Sequence, residues 1–157
     1  MPARQDDTSI GDDVILWRRI LDDRGWWTTD PDGRIRPASV AFKDRQSNEV
    51  SMYIATLTSE TEVLSKHLSH GIVRIKAGQI RAAGTFNITA DEIPVEEDPA
   101  GRAHIVVSPS PNTKAARIMA QCASWVRLPA GVPSNTGIDG YTSTDQDAVK
   151  QEKPGSL

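Results

Sequence analysis

The chain has 157 residues, room for one domain of ordinary size. Apolar side chains make up 38% and the formal net charge is −3, a mildly acidic balance that lacks the positive footprint of phosphate-backbone binding, so nucleic acid is disfavoured as a partner. A single cysteine, Cys122, rules out an intrachain disulfide, and no apolar run nears the roughly 20 residues of a membrane span; a cytoplasmic protein without membrane association is expected.

Residues 1–12 (MPARQDDTSIGD) carry one sizeable aliphatic side chain, Ile10, and are expected to be disordered, because so little burial cannot offset the entropy of ordering. Residues 13–128 read as a single domain. Residues 129–157 are rich in Gly, Pro, Ser, Thr and Asp without periodicity and read as a disordered tail.

The apolar run from Val14 to Ile20 predicts a strand. Asp30-Pro31-Asp32-Gly33 predicts a turn, with Pro31 pre-setting φ and Gly33 free to take positive φ. Residues 37–43 are ambiguous, although Pro37 can open a short helix. In 50–55, Val50, Met52 and Ile54 alternate against Ser51, Tyr53 and Ala55, as in a strand. Ser59 and Glu62 form a capping box that predicts a helix to about Leu68, with Val63, Leu64 and Leu68 inward and Gly71 as its stop.

Residues 72–75 predict a strand and 79–83 a further one, 84–102 mostly loop, and 103–107 (AHIVV) another strand. The longest predicted helix covers 112–126, with Lys114, Arg117, Gln121 and Ser124 on one polar stripe and apolar residues elsewhere, including Cys122 as a buried small side chain. The connections lack the 10–15-residue helical crossovers of a parallel sheet. The expected fold is therefore one small α+β domain, a mostly antiparallel sheet packed on a C-terminal, largely buried helix.

Candidate chemistry is sparse. G-x-G-x-x-G, G-x-x-x-x-G-K-[ST] and G-x-S-x-G are all absent. His67 and His70 are spaced to share a metal ion, but further ligands are missing nearby, so two exposed histidines at a helix end and no metal site are expected. His104 interrupts an apolar strand, either as a general acid/base or as a half-exposed residue on the polar face; the second is the expectation. Trp26 and Trp27 could line a ligand or partner groove, or lie as a lid over one end of the core. Arg18, Arg19, Arg34 and Arg36 could converge with Ser39 and Tyr53 on an anionic group, but pairing with Asp22, Asp23, Asp30 and Asp32 is the plainer expectation.

Two resemblances bear on function. Leu16-Trp17-Arg18-Arg19, Gly33 to Asp44 (GRIRPASVAFKD), Ala103 to Val107 and Ala123-Ser124-Trp125-Val126 resemble a group of small bacterial proteins carrying an "RPSSAAF"-type segment. That resemblance covers most of 14–128 and implies no activity. Arg18, Gly33-Arg34, Tyr53-Ile54-Ala55 and Ser59 to Ser65 also resemble the RES-domain toxins, ADP-ribosyltransferase-like proteins that consume NAD. The resemblance implies a nicotinamide nucleotide held by Arg18, Arg34, Tyr53 and His104. The family's glutamate, however, falls on Ser65, and Glu62 lies one turn earlier.

The primary expectation is a non-catalytic accessory or interaction domain with no cofactor. Its partner is expected to be another protein, contacted through Trp26, Trp27, Arg34 and Arg36. A cleft gathering acid and arginine side chains would tell against that expectation.

Overall fold

The computed structural model describes residues 4–44 and 46–133, and they form one small α+β domain. Its frame is a six-stranded sheet in the order β6-β7-β4-β1-β5-β8, antiparallel at every pairing. The strands are β1 (Ile15–Ile20), β4 (Val50–Ile54), β5 (Gly71–Lys76), β6 (Asn87–Ala90), β7 (His104–Ser108) and β8 (Ser124–Arg127). A separate hairpin joins β2 (Trp27–Thr29) to β3 (Ile35–Pro37). Its turn follows the expectation for Asp30 to Gly33: the Gly33 N–H donates to Asp30 O at 2.9 Å, and Gly33 takes φ 88°.

Because side chains alternate along strands, the sheet presents two faces of different character. One carries Leu16, Ile20, Val50, Met52, Val73, Ile75, Ile105 and Val107 into the main core. Helices α2 (Ala77–Ala83) and α3 (Thr113–Cys122), together with the 3₁₀ turn Ser39–Phe42, cover that face. The other face carries Tyr53 and Ile72 and packs on Val63, Leu64, Ala100 and Ala103, with Trp17 and Val126 at its margin. This smaller layer comes from α1 (Glu60–Val63), the turns after it, and the loop before β7.

Several boundaries depart from expectation for identifiable reasons. The helix expected to reach Leu68 stops at Val63, where Ser65 Oγ donates to Glu62 O at 3.1 Å and competes with the helical bond. Leu68 is accordingly 79% exposed. Residues 77–83, expected as strand in part, form α2, opened by the Gln79 carboxamide oxygen accepting the Lys76 N–H at 2.9 Å. A strand, β6, lies within the expected loop of 84–102.

The helix expected to run to Val126 ends at Cys122, and the chain turns at once into β8. Trp125 explains the break: it is buried in the main core and its indole N–H donates to Ile35 O at 3.1 Å, which an extended backbone delivers. Cys122, expected inside, is exposed.

Residues 4–12 are docked, not disordered. The Asp7 N–H donates to Ile88 O at 2.8 Å, Asp6 Oδ1 accepts the Ile88 N–H at 2.9 Å, and Arg81 bonds both Asp6 and Asp12. Ile10 enters the main core. Composition hides this order because it rests on hydrogen bonds and charge more than on apolar area. At the other end the domain continues past Leu128: the Ala130 N–H donates to Ser69 O at 2.9 Å and Val132 is buried. The rest of the expected tail, 134–157, lies outside the described residues.

Candidate functional site

A cleft of about 300 Å³ opens on the smaller-core face of the sheet. Its floor is Arg19 from β1, Ser51 and Tyr53 from β4, and His104 from β7. One wall is Val63 with Ser65 to His67; the other is Ile93 with Glu97 to Pro99. Cross-strand register builds the floor, since Trp17 pairs with Tyr53 and Tyr53 pairs with His104.

Tyr53 is only 3% exposed, and its hydroxyl donates to Asp98 Oδ2 at 2.7 Å. Burial first, and then the bond to Asp98, push its pKa up to about 12. His104 is 5% exposed, with its ring edge-on to Tyr53 at 5.6 Å between centroids. Its Nδ1 lies 2.8 Å from Asp91 O and 3.3 Å from Asp91 Oδ2. Arg4 in turn holds Asp91, Nη1 to Oδ1 at 3.2 Å. His104 is therefore a buried, oriented residue, not the half-exposed one expected from its strand.

Arg19 Nη1 donates to Val63 O at 2.8 Å, and its guanidinium carbon lies 5.8 Å from the centroid of the Tyr53 ring. Among the described residues no carboxylate forms an ion pair with it. Lys66 Nζ donates to Glu97 O at 2.8 Å and so joins the two walls. His67 stacks on His70 at 4.7 Å between centroids. Burial, followed by the charge of Arg19, lowers the His67 pKa; burial and the charge of His67 lower that of His70. Among the described residues no cluster of three or more His, Cys, Asp or Glu side chains is arranged to hold a metal ion.

Of the four residues tied to a nicotinamide nucleotide, Tyr53 and His104 meet in this cleft and the other two are elsewhere. Arg18 points through the opposite face, donating from Nε to Ala41 O at 2.7 Å and from Nη1 to Ser51 O at 2.9 Å, with Trp26 against its guanidinium at 5.4 Å. Desolvation there lowers its pKa to about 10, which leaves it charged at neutral pH. Arg34 sits beside the hairpin turn, its N–H donating to Asp32 Oδ1 at 3.0 Å. Arg36 pairs with Asp30, Nη2 to Oδ1 at 2.8 Å. Trp27 is buried in the main core, and Trp26 is half-buried and packs against it.

Residue order alone sets Arg19 apart from Arg18. The signal was present: alternation puts Arg18 with Leu16 and Ile20 on the apolar face and sends Arg19 to the other. Asp91 and Asp98 had no distinguishing mark among the acids of 91–98. Neither a protein-family model, nor a curated protein, nor a solved structure matches the chain. Among the described residues no helix is long and apolar enough to cross a membrane.

Proposed function

We propose that this domain binds a small anionic molecule, one bearing a phosphate or carboxylate, in the cleft over Tyr53. The observation that carries the reading is Arg19, which lines the cleft with its guanidinium held by the Val63 carbonyl and not by an acid. A guanidinium fixed in place keeps its remaining N–H donors for a planar or tetrahedral anion. Lys66 adds positive charge on the same cleft. Asp98 is engaged by the Tyr53 hydroxyl and the Ala100 N–H, and Glu97 is exposed, where solvent screens its charge.

The reading stands beside the expected protein-docking role of Trp26 and Trp27, of which Trp27 is buried in the main core and Trp26 is half-buried. Calorimetric titration with inorganic phosphate and with succinate tests it. Binding of either anion, weakened at least tenfold in Arg19→Gln and retained in Arg34→Ala, is the expected result. No binding of either anion, or equal binding by Arg19→Gln, overturns the reading.

A second reading, transfer of ADP-ribose from NAD, has support in the meeting of Tyr53, His104, Glu97 and Asp98 around one arginine. Ligand pockets run roughly 300–1,000 Å³, and this one lies at the lower end, which suits part of a dinucleotide better than the whole. Nicotinamide release from NAD, abolished in Arg19→Gln, would establish that chemistry; its absence beside normal anion binding would exclude it.

A further inference from the structure

His104 and Arg19 flank the Tyr53 ring, with the His104 ring at 5.6 Å and the Arg19 guanidinium carbon at 5.8 Å from its centroid. The imidazole is held by one nitrogen: Nδ1 sits 2.8 Å from Asp91 O. A backbone carbonyl can only accept, so Nδ1 carries a proton, and in the tautomer this selects Nε2 holds the lone pair. Among the described residues the only hydrogen-bond contact of the imidazole is the one at Nδ1, and the His104 side chain lines the cleft. Asp91, fastened by Arg4, fixes the ring from behind. The cleft therefore offers two separate functions on either side of Tyr53, a cation that takes an anion and a nitrogen that accepts a proton donor.

We infer that the ligand carries a hydroxyl as well as an anionic group, the hydroxyl donating to His104 Nε2 while the anion lies on Arg19, as in a sugar phosphate. The inference rests on the anion-binding reading above and narrows it. Because Arg19 on β1 and His104 on β7 come from the strands on either side of β4, two strand spacings or roughly 10 Å apart at the backbone, the ligand must hold its anion and hydroxyl several bonds apart. Small hydroxy acids with adjacent groups do not span them. A site built to hydrogen-bond a hydroxyl discriminates strongly against analogues that lack it.

The test compares inorganic phosphate with ribose 5-phosphate on the full-length protein and on His104→Asn. The asparagine amide nitrogen occupies the place of Nδ1 and can still donate to Asp91 O, so this substitution deletes the outer nitrogen alone. Ribose 5-phosphate is expected to bind at least about tenfold tighter than phosphate, with that ratio falling below about twofold in His104→Asn. In Arg19→Gln both ligands should weaken together. Long-range nitrogen NMR on the unsubstituted protein gives a reading independent of variant folding: the Nε2 resonance should shift with ribose 5-phosphate and stay in place with phosphate.

Phosphate binding with no preference for ribose 5-phosphate overturns this inference and leaves the anion site standing. So does a preference that survives in His104→Asn, or an Nε2 resonance unmoved by ribose 5-phosphate. Failure of both ligands to bind removes the anion site and this inference with it.

Discussion

Tyr53 donates its hydroxyl to Asp98 Oδ2, and Asp98 Oδ1 receives the Ala100 N–H at 2.9 Å, so one carboxylate fastens the sheet to the loop that walls the cleft. Tyr53→Phe leaves that half-buried oxygen without its donor. Loss of a hydrogen bond to a charged group costs about 1–3 kcal/mol. The urea midpoint should fall accordingly with an unchanged m-value. An unchanged midpoint would mean the Asp98 contact contributes nothing.

Alkaline titration gives a second expectation for the same residue. Its pKa in the folded protein, about 12, lies above the ordinary value of 10.0, mainly through burial. The unfolded chain therefore releases this proton first. The associated stability is complete below pH 10 and is lost as pH rises through 12, amounting to at most about 3 kcal/mol. In a Tyr141→Phe background, tyrosinate absorbance should report a midpoint near 12. A midpoint near 10 would show the hydroxyl open to water.

The stacked histidines behave in the opposite sense. Both have pKa values below the ordinary 6.5, chiefly through burial, so the linked stability is present above that value and is lost as pH falls through the folded values. The acid limb of the stability profile should be shallower in a His67→Asn, His70→Asn double variant. In His67→Asn alone, the His70 proton resonance should titrate at higher pH, because the charge of His67 is one of the causes holding it down. An unmoved midpoint would break the pairwise coupling.

Gly101 is packed so closely that an added Cβ would stand 2.0 Å from Ile93 O. Gly101→Ala must displace the loop carrying Ile93, which lines the cleft. Overpacking of this kind costs about 1–3 kcal/mol, and anion affinity should fall with it. Gly11→Ala serves as the control, since nothing lies within 4 Å of its added Cβ. Equal melting temperatures for the two variants would contradict the packing described.

Arg81 bonds Asp6, Asp12 and the Asp7 carbonyl, holding residues 6–12 against the domain. Arg81→Ala should free that segment, seen as faster amide exchange at Asp7, Ser9 and Ile10, whose N–H groups are hydrogen-bonded there. Exchange as slow as in the unsubstituted protein would assign the docking to Ile10 burial alone.

The strands that carry most of the sheet were legible because their sequences alternate or run apolar: β1, β4, β5 and β7 each read directly from residue type. The Ser59 cap was legible as well, since its side chain accepts the Glu62 N–H as the capping pattern requires. What stayed hidden depended on contacts distant in sequence. Trp125 reads as the continuation of an apolar helix until Ile35 O, ninety residues away, supplies its hydrogen bond. Residues 77–83 are short and mixed enough to fit either period. The cleft itself was half visible, in Tyr53 and His104. Arg19 lines it while Arg18 bonds Ala41 O and Ser51 O, since on a strand one residue is the difference between the two faces of a sheet.

The docked segment has a consequence for how the molecule meets copies of itself. Strand β6 is the rim of the sheet, a row of backbone groups that would otherwise invite another chain to pair. The Asp7 N–H covers Ile88 O, Asp6 covers the Ile88 N–H, and Thr89 Oγ1 donates to Gln5 O at 2.6 Å. Polar residues that look dispensable in the sequence thus act as a guard against edge-to-edge aggregation.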